Sequence, residues 1–510
     1  MQADMNVIQN ARNLGAIFDT SGFADKIAIH DLRVADRPRA LTFADIGRYA
    51  DGVARGLARR GLKPGQRIGI LTANRWEFLS TYVGVLRAGL VAVPLNYKLA
   101  KETLALLFDD AEIALVFADA ERLDLCPEGV AVVNFDDPDG ETGFDALIDF
   151  GDFGPYIPDQ AHLAKILYTS GSTGRPKGVL LTHASQVWTM QNYMDAWAAP
   201  QDSTIVVAPA YHKNGLSALQ LSLASGLTVV LMPQFEPRRY LEVVDRYRCT
   251  VLSGVPTMFA LLARERDLIE KLDLSCVREL FVGSAPLSAS VREAIAHTFP
   301  NAPLLNSYGT TEAPAIFGAH PDGLAQPPLS VGAPLEGVAW RLVGGRNADE
   351  GVLHVRTPSQ SAGYLNMPEA TGQKFRDGWY DTGDIMRRDD EGFFYFVGRA
   401  DDMFVCGGEN IYPAEVEQII DSHPDVAQCA VIDAPDAIKG RIPVAFVVPS
   451  SEAAPTEEHI KQFVLDNAPA YQHPRIVVIR NALPLSATNK IDRKALAKEA
   501  ERLSAAHGRA

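Results

Sequence analysis

The chain is poor in the features that mark disulfide-stapled, metal-knuckle and nucleic-acid proteins. Its five cysteines (Cys126, Cys249, Cys276, Cys406 and Cys429) are scattered over 510 residues with no CxxC pair. That spacing excludes a disulfide framework and suits reduced thiols in a cytoplasmic enzyme. The eleven histidines form no HExxH or similar pattern, so no structural zinc site is expected. Positive charge is short: 48 Lys and Arg against 63 Asp and Glu leave a formal charge of −15. Nucleic acids and anionic bilayers are bound by clustered Lys and Arg, so neither is an expected partner. Long apolar runs are also missing. The one uncharged stretch of membrane length, "LSALQLSLASGLTVVLMP" (Leu216–Pro233), carries Gln, serines and Gly226. It reads as a buried helix, turn and strand, and no stable membrane insertion is expected. The N-terminal "MQADMNVIQN" contains an acidic residue and no apolar core of the secretory kind.

What is present is ordinary globular material, 47% apolar and 22% charged, enough for a large core. "LTFADIGRYADGVARGLARRG" has apolar residues at helical spacing, with Thr42 as cap and Gly61 as stop. Short apolar runs ("RIGILTAN", "VAVPL", "TIVVAPA", "CTVLSGVP", "ELFVGSAP", "PLLNSYG") alternate with helical stretches. Such alternation implies parallel sheets covered by helices, with ligands gathered outside the carboxyl ends of the strands. Beyond Gly332 the pattern turns to short strands, and after "GRADDMF" it becomes a compact α+β tail. The expectation is an α/β fold: residues 1–400 as a large domain of parallel-rich sheets plus a small β-rich subdomain, and residues 401–510 as a small mobile domain.

One stretch, "YTSGSTGRPKGVLLTH" (Tyr168–His183), has the look of a phosphate loop. A Walker loop needs GxxxxGK[ST], with the lysine on the first turn of a helix. Here Pro176 precedes Lys177 and Gly178 follows it, which reads as a turn and not a helix start. The hydroxyls and backbone N–H groups from Thr169 to Gly174 still suit an anion.

This stretch resembles the phosphate-loop signature of the adenylate-forming superfamily of acyl-CoA synthetases, luciferases and peptide-synthetase adenylation domains. "NSYGTTEA", "GWYDTGD", "GRADDMFVCGGENIYPAEVE" and "LPLSATNKIDRKAL" resemble its further signatures, in the same order along the chain. The motifs are closest to those of aryl- or acyl-CoA ligases such as halobenzoate–CoA ligase; most relatives have Gly at the position of Asn489, and halobenzoate–CoA ligases have Asn there.

The resemblance implies an AMP-forming acid–CoA ligase that uses ATP, Mg²⁺ and coenzyme A. Thr169, Ser170, Gly171, Ser172, Thr173, Gly174 and Lys177 would hold the β and γ phosphates. Glu312 would ligate Mg²⁺, with Thr310 and Thr311 at the α-phosphate. Tyr308 and Gly309 on one side and Gly283, Ser284 and Ala285 on the other would flank the adenine, and Asn306 would read its amino group. Asp384 and Arg399 would hold the ribose. Lys490 resembles the lysine that bridges the substrate carboxylate and the α-phosphate. Asp401 matches the hinge, and Gly407 and Gly408 the passage for CoA.

For the acid itself, "APAYHKNGL" resembles the acyl-pocket segment. It implies His212 beside the carboxylate and a pocket edged by Trp188, Tyr211, Lys213, Asn214, Ser253, Ser307, Pro314 and Ala315. A small aromatic acid of benzoate or cinnamate type is the first expectation, with medium-chain fatty or dicarboxylic acids as the alternative. A separate carrier protein as acceptor, a catalytically inactive nucleotide-binding protein and a homodimer stay open at this level.

Overall fold

Alternating strand and helix through the first three hundred residues yields two neighbouring sheets. The computed structural model describes residues 12–18, 21–34, 38–138, 140–169, 176–196, 201–450, 455–486 and 489–507. The first sheet runs in the order Leu304–Ser307, Glu279–Gly283, Val251–Gly254, Ser203–Val206, Thr228–Leu231, Ile27–Asp31 and Arg39–Thr42. Its pairings are parallel except the last. The second is ordered Ala131–Asn134, Ile113–Ala118, Arg67–Leu71, Val91–Pro94, Leu163–Thr169 and Lys177–Thr182, again parallel but for its final pair.

Central strands such as Val91–Pro94 are buried at every position. A strand covered by helices on both faces has no solvent side, so it is apolar throughout. The helix Phe43–Arg59 starts as its sequence implies: Thr42 accepts from the Asp45 N–H, and the Asp45 carboxylate accepts from the Thr42 N–H at 3.0 Å. The apolar stretch 216–233 is split between the helix Lys213–Ser225 and the strand Thr228–Leu231. Among the described residues no helix is long and apolar enough to cross a membrane.

Antiparallel strands Ala339–Asn347, Glu350–Arg356, Trp379–Arg388, Phe375–Arg376 and Phe394–Arg399 make a third sheet. In Glu350–Arg356 burial falls on every second residue, Gly351, Leu353 and Val355, because one face packs and the other meets water. The tail forms its own sheet from Phe404–Cys406, Glu409–Ile411, Val426–Asp436, Gly440–Pro449 and Ile476–Ile479. It closes a separate core that includes Val416, Ile420, Val431, Phe446, Ile460 and Leu496.

One local expectation is corrected. Pro176–Gly178 is not a turn: Lys177 opens the strand Lys177–Thr182 and pairs with Thr169, and Gly178 pairs with Tyr168. The alternating apolar run after Lys177 wins over the Pro–Gly signal, since it buries Val179 and Leu181. Ser170, Gly171, Ser172, Thr173 and Gly174 lie outside the described residues.

Candidate active site

The parallel strands Val251–Gly254, Glu279–Gly283 and Leu304–Ser307 release their following loops on one side of the first sheet. Two cavities adjoin there. One contains Asn306, Thr310, Thr311, Asp384, Arg399 and Lys490. The other contains Tyr193, Ser217, Ser253, Met258, Phe281 and Pro314. His212, Lys213, Asn214, Ser284, Ser307, Tyr308 and Gly309 belong to both and form the shared wall.

The turn after Leu304–Ser307 is closed locally. The Thr310 N–H donates to the Ala313 carbonyl at 3.0 Å, and the Ala313 N–H donates to Thr310 Oγ1 at 3.0 Å. A Cβ on Gly309 would stand 2.0 Å from the Pro314 carbonyl oxygen, so only glycine fits under this turn. Across the cavity, Ser284 takes φ 65°, a left-handed conformation costly for serine, and its hydroxyl donates to Asn214 Oδ1 at 2.9 Å. Buried Asn306 spends its side-chain N–H on the Ser330 carbonyl at 3.0 Å, which leaves Oδ1 as an acceptor. An exocyclic amino group is what such an acceptor recognises.

Asp384 sits buried at the base of the first cavity. Tyr308 Oη donates to one of its oxygens and Arg399 Nη1 to the other, at 2.9 Å for the arginine. Burial pushes its pKa up to about 6 despite the nearby Arg399 charge. A carboxylate has about four acceptor sites, so two remain for vicinal hydroxyls.

Glu312 lies beside this turn. Its Oε1 accepts from Tyr364 Oη at 2.8 Å, and its backbone carbonyl accepts from the Ser361 N–H at 2.7 Å. Lys177 Nζ lies 5.2 Å from the centre of the Tyr364 ring. Lys177, Tyr364 and Glu312 thus form one row joining the phosphate-loop strand to the Thr310–Ala313 turn. Magnesium is commonly held by one or two carboxylates together with substrate phosphates, and Glu312, oriented by Tyr364, fits that role.

Lys490 reaches the first cavity from the C-terminal unit. Its own carbonyl accepts from the Ser486 N–H at 2.7 Å, and Asn489 holds φ 59°. Burial lowers the Lys490 pKa. Burial, then the charges of Lys490 and Lys213, push His212 down to about 3, so its imidazole is neutral near pH 7. Lys213 is pushed down to about 7 by burial and Lys490, with Glu312 acting the other way.

Of the proposed acid-pocket residues, Lys213, Asn214, Ser253, Ser307 and Pro314 line the second cavity. Trp188, Tyr211 and Ala315 do not. Trp188 packs near Gly337, and Tyr211 turns its ring edge-on to Tyr97 at 5.4 Å. Ala315 is fully buried and gives its carbonyl to Ser359 Oγ. Periodicity places such residues near the site without fixing which way they turn. Tyr193, a turn and a half beyond Trp188 on the helix His183–Ala196, takes the place foreseen for the tryptophan.

Ser217, one helical turn beyond Lys213, was also missed, though its i+4 spacing could have identified it. Gly407 and Gly408 form the tip of the hairpin between Phe404–Cys406 and Glu409–Ile411, with φ 60° and 96°. Turn geometry by itself accounts for these two glycines, and they line neither cavity.

The AMP-binding enzyme model matches residues 19–365, and the AMP-binding enzyme C-terminal domain model matches residues 415–490. Feruloyl-CoA synthase of Amycolatopsis sp is 33% identical over 474 residues, covering 91% of this chain and 95% of its own. 2-Succinylbenzoate–CoA ligase of Bacillus cytotoxicus is 30% identical over 487 residues, covering 92% and 95%. ATP-bound MatB from Rhodopseudomonas palustris superposes with a TM-score of 0.87 at 30% identity, over 97% of this chain and 99% of that one. The anthranilate CoA ligase AuaEII with anthranoyl-AMP gives the same TM-score at 26% identity, over 97% and 98%.

Proposed function

This chain belongs to the AMP-binding enzyme family as an AMP-forming acid–CoA ligase using ATP, Mg²⁺ and CoA, and we propose that it activates a small aromatic acid of benzoate or cinnamate type. The observation that carries the reading is the meeting of Lys490 with His212, Thr310, Thr311 and Asp384 around one cavity. The aromatic acids named in the relatives support the substrate class. So does the second cavity, where Met258, Phe281 and Phe317 face small residues at Ser253, Gly254 and Ser307.

In the first half-reaction the acid's carboxylate oxygen bonds to the α-phosphorus of ATP while the bond to the bridging oxygen breaks and pyrophosphate leaves. Lys490 stabilises the charge shared by the carboxylate and the α-phosphate, and such compact charge is worth most where water is excluded. Mg²⁺ held at Glu312 would supply further positive charge to the phosphates. Asp384 accepts from the ribose hydroxyls. The Asn306 Oδ1 takes the adenine amino group, and Tyr308 and Ser284 flank the base. Neutral His212 steadies the acyl group without bringing a second cation to it.

In the second half-reaction the CoA sulfur attacks the acyl carbon and AMP leaves. We assign residues 1–400 and 401–510 to two domains, with Asp401 as the hinge about which the smaller turns. That turn withdraws Lys490 and brings the Gly407–Gly408 hairpin to the thiol's path. Acid-dependent exchange of labelled pyrophosphate into ATP tests the reading. Exchange with benzoates or cinnamates and CoA-dependent AMP release are expected, and failure of every acid tried to support exchange would sink it.

A further inference from the structure

The acid cavity has one polar wall for which the two half-reactions provide no partner. The helix Lys213–Ser225 turns Lys213, Ser217 and Gln220 along one side, at i, i+4 and i+7. Lys213 and Ser217 line the acid cavity, and Tyr193 joins them from the neighbouring helix. Buried Gln220 continues the row inward: its Oε1 accepts from Lys165 Nζ at 3.2 Å, and its Nε2 donates to Tyr82 Oη at 3.0 Å.

Two lysines therefore stand in low-dielectric surroundings, where the Lys213 charge disfavours that of Lys165 and the Lys490 charge disfavours that of Lys213. Among the described residues their hydrogen bonds go to neutral acceptors, Lys165 to Gln220 and Lys213 to the Pro314 carbonyl at 3.2 Å. That carbonyl is already shared with Tyr193 Oη at 2.7 Å. No carboxylate among the described residues forms an ion pair with either ammonium. Glu312 acts on Lys213 only at longer range and is held by Tyr364.

An ammonium has three protons to place, and burial without an anion is costly. Lys213 places one on Pro314, and the residue lines the cavity. The reacting carboxylate belongs beside Lys490 and the Thr310–Thr311 turn, in the first cavity. Ser217 and Tyr193 border only the second, so the polar wall extends past the reacting end.

We propose that Lys213, with Ser217, forms a subsite for a second acidic oxygen on the substrate, so that the enzyme's acids carry a further carboxylate or phenolic hydroxyl. A carboxylate there supplies the missing counter-charge, and a phenolic hydroxyl supplies an acceptor for the ammonium protons. A methyl group in its place would leave the ammonium buried without a partner, and sites built to hydrogen-bond a substrate group discriminate strongly against analogues that lack it. The inference rests on the ligase reading and specifies its substrate class.

The test is acid-dependent pyrophosphate exchange with benzoates and cinnamates carrying carboxylate, hydroxyl or methyl at matched ring positions, for wild type, Lys213→Met, Lys213→Arg and Ser217→Ala. The wild type should prefer an oxygen-bearing member over its methyl twin by about tenfold or more in kcat/KM, mainly through KM. Whether the carboxylate or the hydroxyl member leads identifies the second group. Lys213→Met should reduce the preference to less than about threefold, and Lys213→Arg should restore part of it. Ser217→Ala, which keeps the charge, should weaken it by roughly threefold.

Methyl twins accepted as well as oxygen-bearing ones would overturn the subsite and leave the ligase reading intact. Equal loss on every acid in Lys213→Met would overturn it too, because Lys213 would then serve the reacting carboxylate or ATP. If Lys213→Met fails to fold, a preference unchanged in Ser217→Ala and Lys213→Arg counts against the proposal. Failure of every acid to support exchange by the wild type would instead defeat the ligase reading itself.

Discussion

Arg399 grips Asp401 with two parallel bonds, from Nε at 2.8 Å and Nη2 at 3.1 Å. Its remaining Nη1 reaches Asp384 at 2.9 Å. The residue assigned as the hinge is thereby tied to the residue assigned to the ribose, so nucleotide occupancy and domain position share one guanidinium. Asp401→Asn removes the charge and keeps an acceptor. Because the pair is half exposed, the effect on stability should stay within about 1 kcal/mol. Adenylation should change little while thioester formation from supplied acyl-AMP slows, and stopped-flow assays of the two half-reactions separate these effects.

The pH profile should carry Asp384. Its folded pKa, about 6, is raised above the ordinary carboxylate value by burial. Between those two values the folded state binds more protons than the unfolded one. The ionised group therefore lowers stability above about pH 6, and acidification removes that penalty. Binding has the opposite sign, since ribose hydroxyls need the ionised acceptor. The KM for ATP should rise as pH falls through about 6, and Asp384→Asn should abolish that step. His212, already neutral well above its pKa of about 3, should not contribute, so His212→Gln should retain the step.

Tyr364 orients Glu312 by the 2.8 Å hydrogen bond to Oε1. Tyr364→Phe deletes that bond, worth about 1 kcal/mol. The expected outcome is a Mg²⁺ requirement for adenylation raised roughly fivefold, with the KM for the acid little changed, read by titrating Mg²⁺ at saturating ATP.

Asn489 holds φ 59° immediately before Lys490. Asn and Gly tolerate the left-handed region better than other residues. Asn489→Gly should keep most adenylation activity. Asn489→Ala should lower it by the equivalent of about 1–2 kcal/mol, because strain there displaces the Lys490 ammonium. Pyrophosphate exchange on the two variants is the check.

Much of this arrangement is legible in the amino-acid sequence. Thr42 marked a helix start, and the strand-length runs ending in Pro, Gly or Ser pointed to loops on one side of a sheet. The ordered motifs nominated Asp384, Arg399 and Lys490, which the structure brings to one cavity. The misreadings concern direction. Trp188 and Tyr211 lie close to the pocket in sequence, but Tyr211 packs edge-on to Tyr97 and Trp188 lies near Gly337, and neither lines the acid cavity. Tyr364 lies outside the motifs and is brought to Glu312 by the pairing of Val179 with Tyr364 and by the Ser361–Glu312 backbone bond. Contacts made across 52 residues leave no local pattern to read.

The central claim is that one lysine serves one half-reaction and leaves when the smaller domain turns. Lys490→Ala, assayed for pyrophosphate exchange and, separately, for thioester formation from supplied acyl-AMP and CoA, tests it most directly. The account predicts exchange reduced by about a hundredfold or more while thioester formation stays within a few-fold of wild type. Equal loss of both half-reactions would contradict it.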